Sequence, residues 1–494
     1  VNWIEQIKAA RRVSVPIVAI NTPDPASTMS EVCTAINSES PKIEWDLLSG
    51  LSGRNDAGAN VVAQLIDSDL GDETKHNPTE CLVKAIDLPS RCVLFVHMAS
   101  RWLIDQPSFV QALWNLRDRF KRDGRMIVLL GKQFQIPTEL VDDIVLIDEP
   151  LPSPEQLSVI VSQQHENAKL PVNDDTLKHA VEAVTGLSAF SAEQATAMCL
   201  TKQGVSLDDL WESKRSQIEQ TPGLKVFRDG QTFDSIGGCD VVKGFLRRIM
   251  GGQRRPNSIV FIDEIEKMLG GTGDTSGVSQ DQLGALLSYM QDNACAGMIF
   301  VGPPGAAKSA VAKAAGNDGG VPTIQLDLGA AKGSLVGQSE HQLRDALKVI
   351  SAVSNNRSLW IATCNSIGDL PPELRRRFTL GTFFFDLPSD VERSHIWQIY
   401  CEAYGFQYAT TSDFPDDTGW TGAEIKQCCD IVDRLGCTLE EAAEFIVPVS
   451  RSAAGQIKRL REQSDGRFLS ASYPGVYSMK RESATTSNRN LDLG

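Results

Sequence analysis

Met298-Ile-Phe-Val301-Gly302-Pro303-Pro304-Gly305-Ala306-Ala307-Lys308-Ser309-Ala310-Val-Ala-Lys-Ala-Ala315 decides how the second half of this chain folds. A short apolar run of strand length enters a Gly/Pro turn, and an alanine-rich helical pattern leaves it. That is the strand, loop and helix order of a backbone built to wrap a phosphate. In this reading the segment Gly302, Pro303, Pro304, Gly305, Ala306 and Ala307 closes around the β- and γ-phosphates of a nucleotide. The helix adds its positive N-terminal end, Lys308 neutralises charge, and the Ser309 hydroxyl is placed to ligate Mg²⁺. One residue departs from the pattern G-x-x-x-x-G-K-[ST]: Ala307 stands where glycine precedes the lysine, and its Cβ works against the loop's backbone.

Upstream, Ile259-Val-Phe-Ile-Asp263-Glu264 reads as a buried strand that carries two acids to the edge of a sheet. Asp263 is the expected metal residue, and Glu264 the residue that orients and polarises an attacking water. Downstream, Leu359-Trp-Ile-Ala-Thr-Cys-Asn365 is a second buried strand, ending in an amide able to reach a γ-phosphate or its water. Taken alone, Asn365 reads as a turn former before it reads as a site residue. The run Leu370-Pro-Pro-Glu-Leu-Arg375-Arg376-Arg377-Phe378 reads either as solvated charge or as a guanidinium finger, Arg376 or Arg377, delivered to a neighbouring copy's nucleotide.

The chain has 494 residues, 41% hydrophobic and 22% charged, which is the composition of folded globular domains. Its 48 basic and 63 acidic residues leave a formal charge of −15, so the whole molecule repels nucleic acid and anionic membranes. The apolar runs have strand length, and Val1 to Arg12 has no signal-peptide pattern, so the expectation is a cytoplasmic protein with no membrane segment. The cysteines lack C-x-x-C spacing and read as reduced core thiols.

Residues 1–152 alternate β-rich runs (Val15 to Ile20, Cys92 to Val96, Met126 to Leu130, Ile144 to Ile147) with amphipathic stretches, the signature of a parallel α/β sheet. Residues 153–220 turn helical. Residues 221–388 return to α/β, with strands expected at Ser258 to Ile262, Met298 to Val301, Thr323 to Leu328, Leu359 to Thr363 and Thr382 to Phe385. Residues 389–476 are helical again, and 477–494 read as a disordered tail. The expected fold is α/β with two P-loop-NTPase-like doubly wound sheets, each followed by a small helical lid.

With these elements together, Phe233 to Ser450 resembles an AAA+ ATPase module. Asp234-Ser-Ile236-Gly237-Gly238 resembles the segment that precedes the family's core and packs on adenine, which implies nucleotide contacts from Ile236 and Gly237. Gly419-Trp-Thr-Gly422-Ala423-Glu424-Ile425 resembles the start of its lid helix. More narrowly, the chain resembles the cyanobacterial and plastid-encoded AAA+ group with a degenerate N-terminal ATPase-like domain. Arg125-Met-Ile-Val-Leu-Leu-Gly131, Leu151-Pro-Ser-Pro-Glu155 and Ile446-Val-Pro-Val-Ser450 carry that match. In the family the acidic strand lies between the phosphate loop and the Asn strand, whereas here it precedes the loop. A permuted core is therefore expected, with strands keeping their places in space while their connections change.

The resemblance implies ATP and Mg²⁺ as cofactors and a ring of identical copies, a hexamer. Lys332-Gly-Ser-Leu335-Val336-Gly337 resembles the family's central pore loop, with Leu335 in the aromatic position. In the N-terminal half, Asn21-Thr-Pro-Asp-Pro25 lacks Gly-Lys-Ser and His97-Met98 replaces the paired acids, so an inactive ATPase-like scaffold is expected there. The leading functional expectation is ATP hydrolysis that remodels a protein client. The alternatives are a nucleotide-gated scaffold or, with Arg247, Arg248, Arg254 and Arg255 facing a pore, a DNA-handling loader.

Overall fold

The computed structural model describes residues 2–66, 73–132, 134–228, 230–269, 278–293, 295–327, 338–366, 368, 370–406 and 414–480. The chain forms two compact units, Val1–Ile160 with Ser188–Gln194, and Val161–Leu187 with Ala195–Gly494.

In the first unit, strands β1 (Ile17–Asn21), β2 (Lys42–Asp46), β3 (Gly50–Gly53), β4 (Val93–Val96), β5 (Met126–Gly131) and β6 (Ile144–Asp148) form one sheet in the order β3-β2-β4-β5-β1-β6. All neighbours are parallel except β2 and β3. Alternate residues of β1 feed opposite layers. Ile17 and Ala19 join Phe109, Leu113 and Phe120, while Val18 and Ile20 join Trp3, Ile7, Met29 and Val32. That two-sided burial is why the central strands read as unbroken apolar runs. The β2–β3 hairpin was not among the strands expected from sequence. Its signal is the alternation in Lys42-Ile-Glu-Trp-Asp46, where Ile43 and Trp45 are fully buried.

Two short strands, β7 (Leu200–Thr201) and β8 (Gly204–Val205), pair as a small hairpin. The second unit's sheet contains β9 (Leu224–Val226), β10 (Ser258–Ile262), β11 (Ala296–Val301), β12 (Thr323–Leu326), β13 (Ser358–Cys364), β14 (Thr382–Phe384) and β15 (Leu469–Ser470) in the order β15-β14-β11-β13-β10-β12-β9. Only β9 runs antiparallel to its neighbour. Val260, Ile299, Trp360 and Ala362 face the helices Val278–Asp292 and Gln338–Ser354 through Leu286, Met290, Leu343 and Ile350. Phe261, Met298, Phe300 and Ile361 face the helices Asp240–Met250 and Lys308–Gly319 through Val242, Leu246, Val311 and Ala315. The acidic strand β10 is thus separated from the phosphate-loop strand β11 by the Asn strand β13, although β10 comes first along the chain.

Five expected strands lie inside this sheet; of its two edges, β9 comes from a stretch where no strand was expected, and β15 from residues 389–476, expected to be helical. Strand β9 follows Thr221-Pro-Gly223, and β15 returns to the sheet after the lid-like helices. The chain beyond β15 also stays with the core. Tyr477, expected to open a disordered tail, is buried and its hydroxyl donates to Asp386 Oδ2 at 2.6 Å. Arg461 holds the same carboxylate at 2.9 Å, so the burial of an aromatic ring and a shared charge keep this segment in place. Residues 481–494 lie outside the described residues.

The helices Asp174–Val184 and Leu207–Glu219 pack together, and in this division both fall with the second unit. Between them Lys214 is buried, its ammonium over the Trp211 ring and donating to the Glu182 carbonyl at 3.1 Å. Burial lowers its pKa from the ordinary 10.5 to about 7, against a smaller opposing pull from Glu182. Between those values the unfolded chain holds a proton that the fold has released, so stability rises with pH from about 7 upward. Lys214→Met should remove that slope. The difference between native and variant denaturation midpoints at pH 7 and pH 9 should change by about 2 kcal/mol in free energy.

Candidate functional site

The phosphate loop leaves β11 at Val301 and is pressed against the chain beyond β14. A Cβ on Gly302 would lie 2.1 Å from the Phe385 carbonyl oxygen, so only glycine fits. Gly305 has φ 79° and faces Thr421 and Ala423, at the start of the helix Gly422–Leu435. The helical lid therefore begins over the loop. Ala307 adopts φ 63°, ψ 7°, a left-handed conformation that costs a non-glycine residue about 1–2 kcal/mol. It precedes the helix Lys308–Gly319 and offers no side-chain cap, so the first-turn N–H groups have no side-chain cap from that position.

Lys308 is 6% exposed, and its ammonium donates to the carbonyls of Gly302 and Pro303, each at 2.7 Å. Burial brings its pKa down to about 8, opposed first by the Glu266 carboxylate and more weakly by Asp263 and Glu264. Ile236 is buried in the same apolar layer as Ala306, and its carbonyl accepts from Lys243 Nζ at 2.9 Å. Gly237 meets Ile396 of the lid helix Asp390–Tyr404 so closely that a Cβ would lie 2.4 Å from Ile396 Cγ1.

The parallel strands β10, β11 and β13 deliver their C-terminal ends to one edge, where ligands bind in open α/β sheets. Ser309 Oγ donates to Asp263 Oδ1 at 2.8 Å, and Thr363 Oγ1 donates to the same oxygen at 2.6 Å. Thr363 also accepts the Glu264 N–H at 2.9 Å, which holds Glu264 at φ 48°. Asn365 Nδ2 donates to Glu264 Oε1 at 2.9 Å, while Lys267 pairs with the other Glu264 oxygen. The acids, the amide, the lysine and the serine expected from sequence are thus assembled at one edge.

Thr363 and Glu266 are the residues that sequence reasoning passed over. Thr363 lies in β13 two positions before Asn365, which follows the strand directly, and that period of two was its signal. Asp263 and Ser309 offer an oxygen pair of the kind a hard divalent cation takes, with water and phosphate oxygens completing the shell, so the donor set fits Mg²⁺.

Arg376 and Arg377 are not hydrogen-bonded to this group among the described residues. Arg377, half-buried, donates to Gln291 Oε1 at 2.7 Å. Arg376 is exposed and lines a groove of about 340 Å³ with Pro372, Arg375, Thr382, Arg467 and Phe468. Leu335, Val336 and Gly337 lie outside the described residues. Of the arginines a DNA-handling role would need, Arg247 pairs with Asp234 and Asp318, and Arg255 donates to the Gly319 carbonyl.

The matching edge of the first unit is built differently. Asn21 donates to Asp148 at 2.6 Å, and Thr28 donates to Glu149 at 2.5 Å. Burial raises the Glu149 pKa, partly offset by the two threonine hydroxyls. A carboxylate therefore sits beside the start of the helix Pro25–Ala35, the place where the second unit has its phosphate loop and lysine.

Residues 298–355 match the family described as ATPase family associated with various cellular activities (AAA), and residues 3–149 match the SpoVK-like AAA ATPase N-terminal domain. The first match starts at the phosphate-loop strand and stops short of the Asn strand; β10 lies upstream of it. Together with the fold and the assembled edge, these matches support the resemblance of the chain to AAA ATPases. Among the proteins it is similar to are two named uncharacterized AAA domain-containing protein ycf46. The one from Pyropia yezoensis is 23% identical over 95% of this chain and 99% of its own length. The one from Guillardia theta is 22% identical over 95% and 97%. This agrees with the resemblance to the plastid-encoded group. Among the described residues no helix is long and apolar enough to cross a membrane.

Proposed function

We propose that the second unit binds ATP with Mg²⁺ and hydrolyses it within a ring of identical copies, and that turnover remodels a protein partner. The observation that carries this reading is the union of Asp263 with Ser309 at 2.8 Å and of Glu264 with Asn365 at 2.9 Å, beside a glycine loop that holds Lys308. These contacts form although β10 precedes the loop in the chain, which supports a permuted core with 221–388 as the nucleotide domain and 389–476 as its lid.

In this mechanism Gly302 to Ala307 and the helix N-terminus receive the phosphates, and Lys308 supplies positive charge there. Ile236 and Gly237 sit at the adenine side. Asp263 and Ser309 would hold Mg²⁺, which neutralises developing phosphate charge when bound. Glu264 accepts a proton from the attacking water at its carboxylate, and Asn365 fixes that carboxylate's direction. Arg376, exposed in its groove, is the finger offered to a neighbouring copy. The loop at Leu335 to Gly337 contacts an extended client on sequence grounds, in the cytoplasm or its plastid counterpart.

A second reading, the nucleotide-gated scaffold, is favoured by Ala307, whose strained backbone weakens the cradle. Measuring ATP turnover against protein concentration, together with the mass of the assembly with and without ATP, separates the two. Turnover that climbs cooperatively as the assembly grows supports the remodelling machine. Nucleotide binding and assembly with negligible turnover leave only the scaffold.

A further inference from the structure

Glu266 enters none of the roles above, yet it meets the site more intimately than a solvated acid would. It lies two residues beyond Glu264, on the 3₁₀ turn Ile265–Leu269, whose first residue, Ile265, is fully buried and anchors the turn in the core. Glu266 Oε1 accepts the backbone N–H of Asn365 at 2.8 Å. Its other oxygen, Oε2, is buried and has no hydrogen-bond partner of normal geometry among the described residues, the nearby Cys364 thiol being its polar neighbour. Beside it the Cys364 thiol is pushed up by burial and then by the Glu266 charge, and Glu266 is the strongest negative neighbour of Lys308.

Asn365 is therefore held from two sides by one turn. Its side-chain amide donates to Glu264, and its main-chain N–H donates to Glu266. The strand pairing of β13 stops at Cys364, opposite Val301, so no ladder partner fixes Asn365. A residue just past a strand end has free φ and ψ unless something pins it, and a misplacement of about 1 Å at a reacting group can cost roughly a hundredfold in rate. Leaving a carboxylate oxygen buried without a hydrogen bond of normal geometry is costly in stability, and such a cost is commonly retained at functional sites.

We propose that Glu266 is a positioning residue of this site: by accepting the Asn365 main-chain N–H it fixes the end of β13 so that the Asn365 amide meets Glu264. The proposal rests on the hydrolytic reading for its effect on rate, but its geometric content stands in the nucleotide-free chain.

The test uses the full chain and two readouts. Hydrogen exchange followed by mass spectrometry without nucleotide, read as the difference between overlapping peptides that begin upstream of Thr363 and end on either side of Asn365, isolates the Asn365 N–H. Steady-state ATP turnover reports kcat and KM. Glu266→Gln keeps an acceptor oxygen of the same reach, and should leave exchange and kcat within about threefold of native. Glu266→Ala removes the acceptor, and should speed exchange at least tenfold and lower kcat about tenfold to a hundredfold with little change in KM. Should the alanine variant not fold, Glu266→Asp, short by one methylene, takes its place with the same expectation. Equal exchange in the native, Gln and Ala chains overturns the proposal. So does a Gln variant as impaired as Ala, because an intact acceptor would then have rescued nothing. If the native chain turns over no ATP, the hydrolytic reading fails by itself, and the exchange comparison still decides the role of Glu266.

Discussion

Glu264→Gln should lower ATP turnover by roughly 10²–10⁴-fold, the span that a positioned general base contributes, while nucleotide binding stays close to native. The amide keeps the oxygen that accepts Asn365 Nδ2 and keeps the residue's size, so the local geometry survives. What it loses is the ability to take a proton. It also loses the pairing with Lys267, whose side chain is 73% exposed, so that change should leave stability almost untouched. Turnover near the native level in this variant would remove Glu264 from the chemistry and with it the reading of β10 as the acidic strand of the site. A chain that neither turns over nor binds nucleotide would instead mean that the substitution disturbed the loop through Asp263.

Arg376→Ala should cost about 10³-fold or more in turnover per assembled copy, with an unchanged unfolding midpoint. Arg377→Ala should do the opposite, lowering stability by about 1 kcal/mol with a smaller effect on rate. The two arginines are neighbours in sequence and read alike there, but they are not alike in the fold. Arg377 is committed to Gln291 on the helix Val278–Asp292, whereas Arg376 projects into the groove with Arg375 and Arg467. An arginine that must reach another copy's phosphate needs a free guanidinium, and among these two only Arg376 is exposed. Mixing Arg376→Ala with Glu264→Gln offers a further check. If the finger acts between copies, hydrolysis should partly return in mixed assemblies, since some interfaces pair an intact Glu264 with an intact Arg376. No recovery on mixing would place Arg376 in its own chain's site or outside the chemistry altogether.

The acids, the amide, the loop and the lysine were legible because each sits at the end of a buried strand or at the start of a helix. There hydrophobic periodicity fixes direction, and the polar residue that breaks the run stands out. Glu266 and Thr363 were not legible in the same way. Glu266 follows the Asp-Glu pair as one more surface-type acid, and Thr363 reads as an ordinary β-branched strand residue. Their meaning depends on partners about a hundred residues away in sequence, brought near only by the pairing of β10 with β13. The edges β9 and β15 were hidden for a related reason. Each is two or three residues long, too short for periodicity to show, and each is held by its neighbour's ladder rather than by its own propensity. Tyr477 looked like the start of a tail because the composition turns polar after it; what keeps it is the burial of its ring against Phe384 and its hydrogen bond to Asp386, both supplied by another part of the chain.

By itself the sequence determined that the chain holds two α/β units, that the second carries a glycine loop of the kind that wraps phosphates with an acidic strand placed before it, and that the first lacks the lysine and paired acids such a pattern has. Those are properties of local pattern, set by which side chains must leave water and which backbone turns glycine permits. Only the tertiary structure decided that β10 enters between β13 and β12, so that Asp263 reaches Ser309 and Glu264 reaches Asn365 in spite of their order along the chain. Strand order in a parallel sheet is a choice among crossovers of similar local cost. What selects one is the packing of whole layers and the satisfaction of polar groups far apart in sequence, and neither is written in any short stretch of residues.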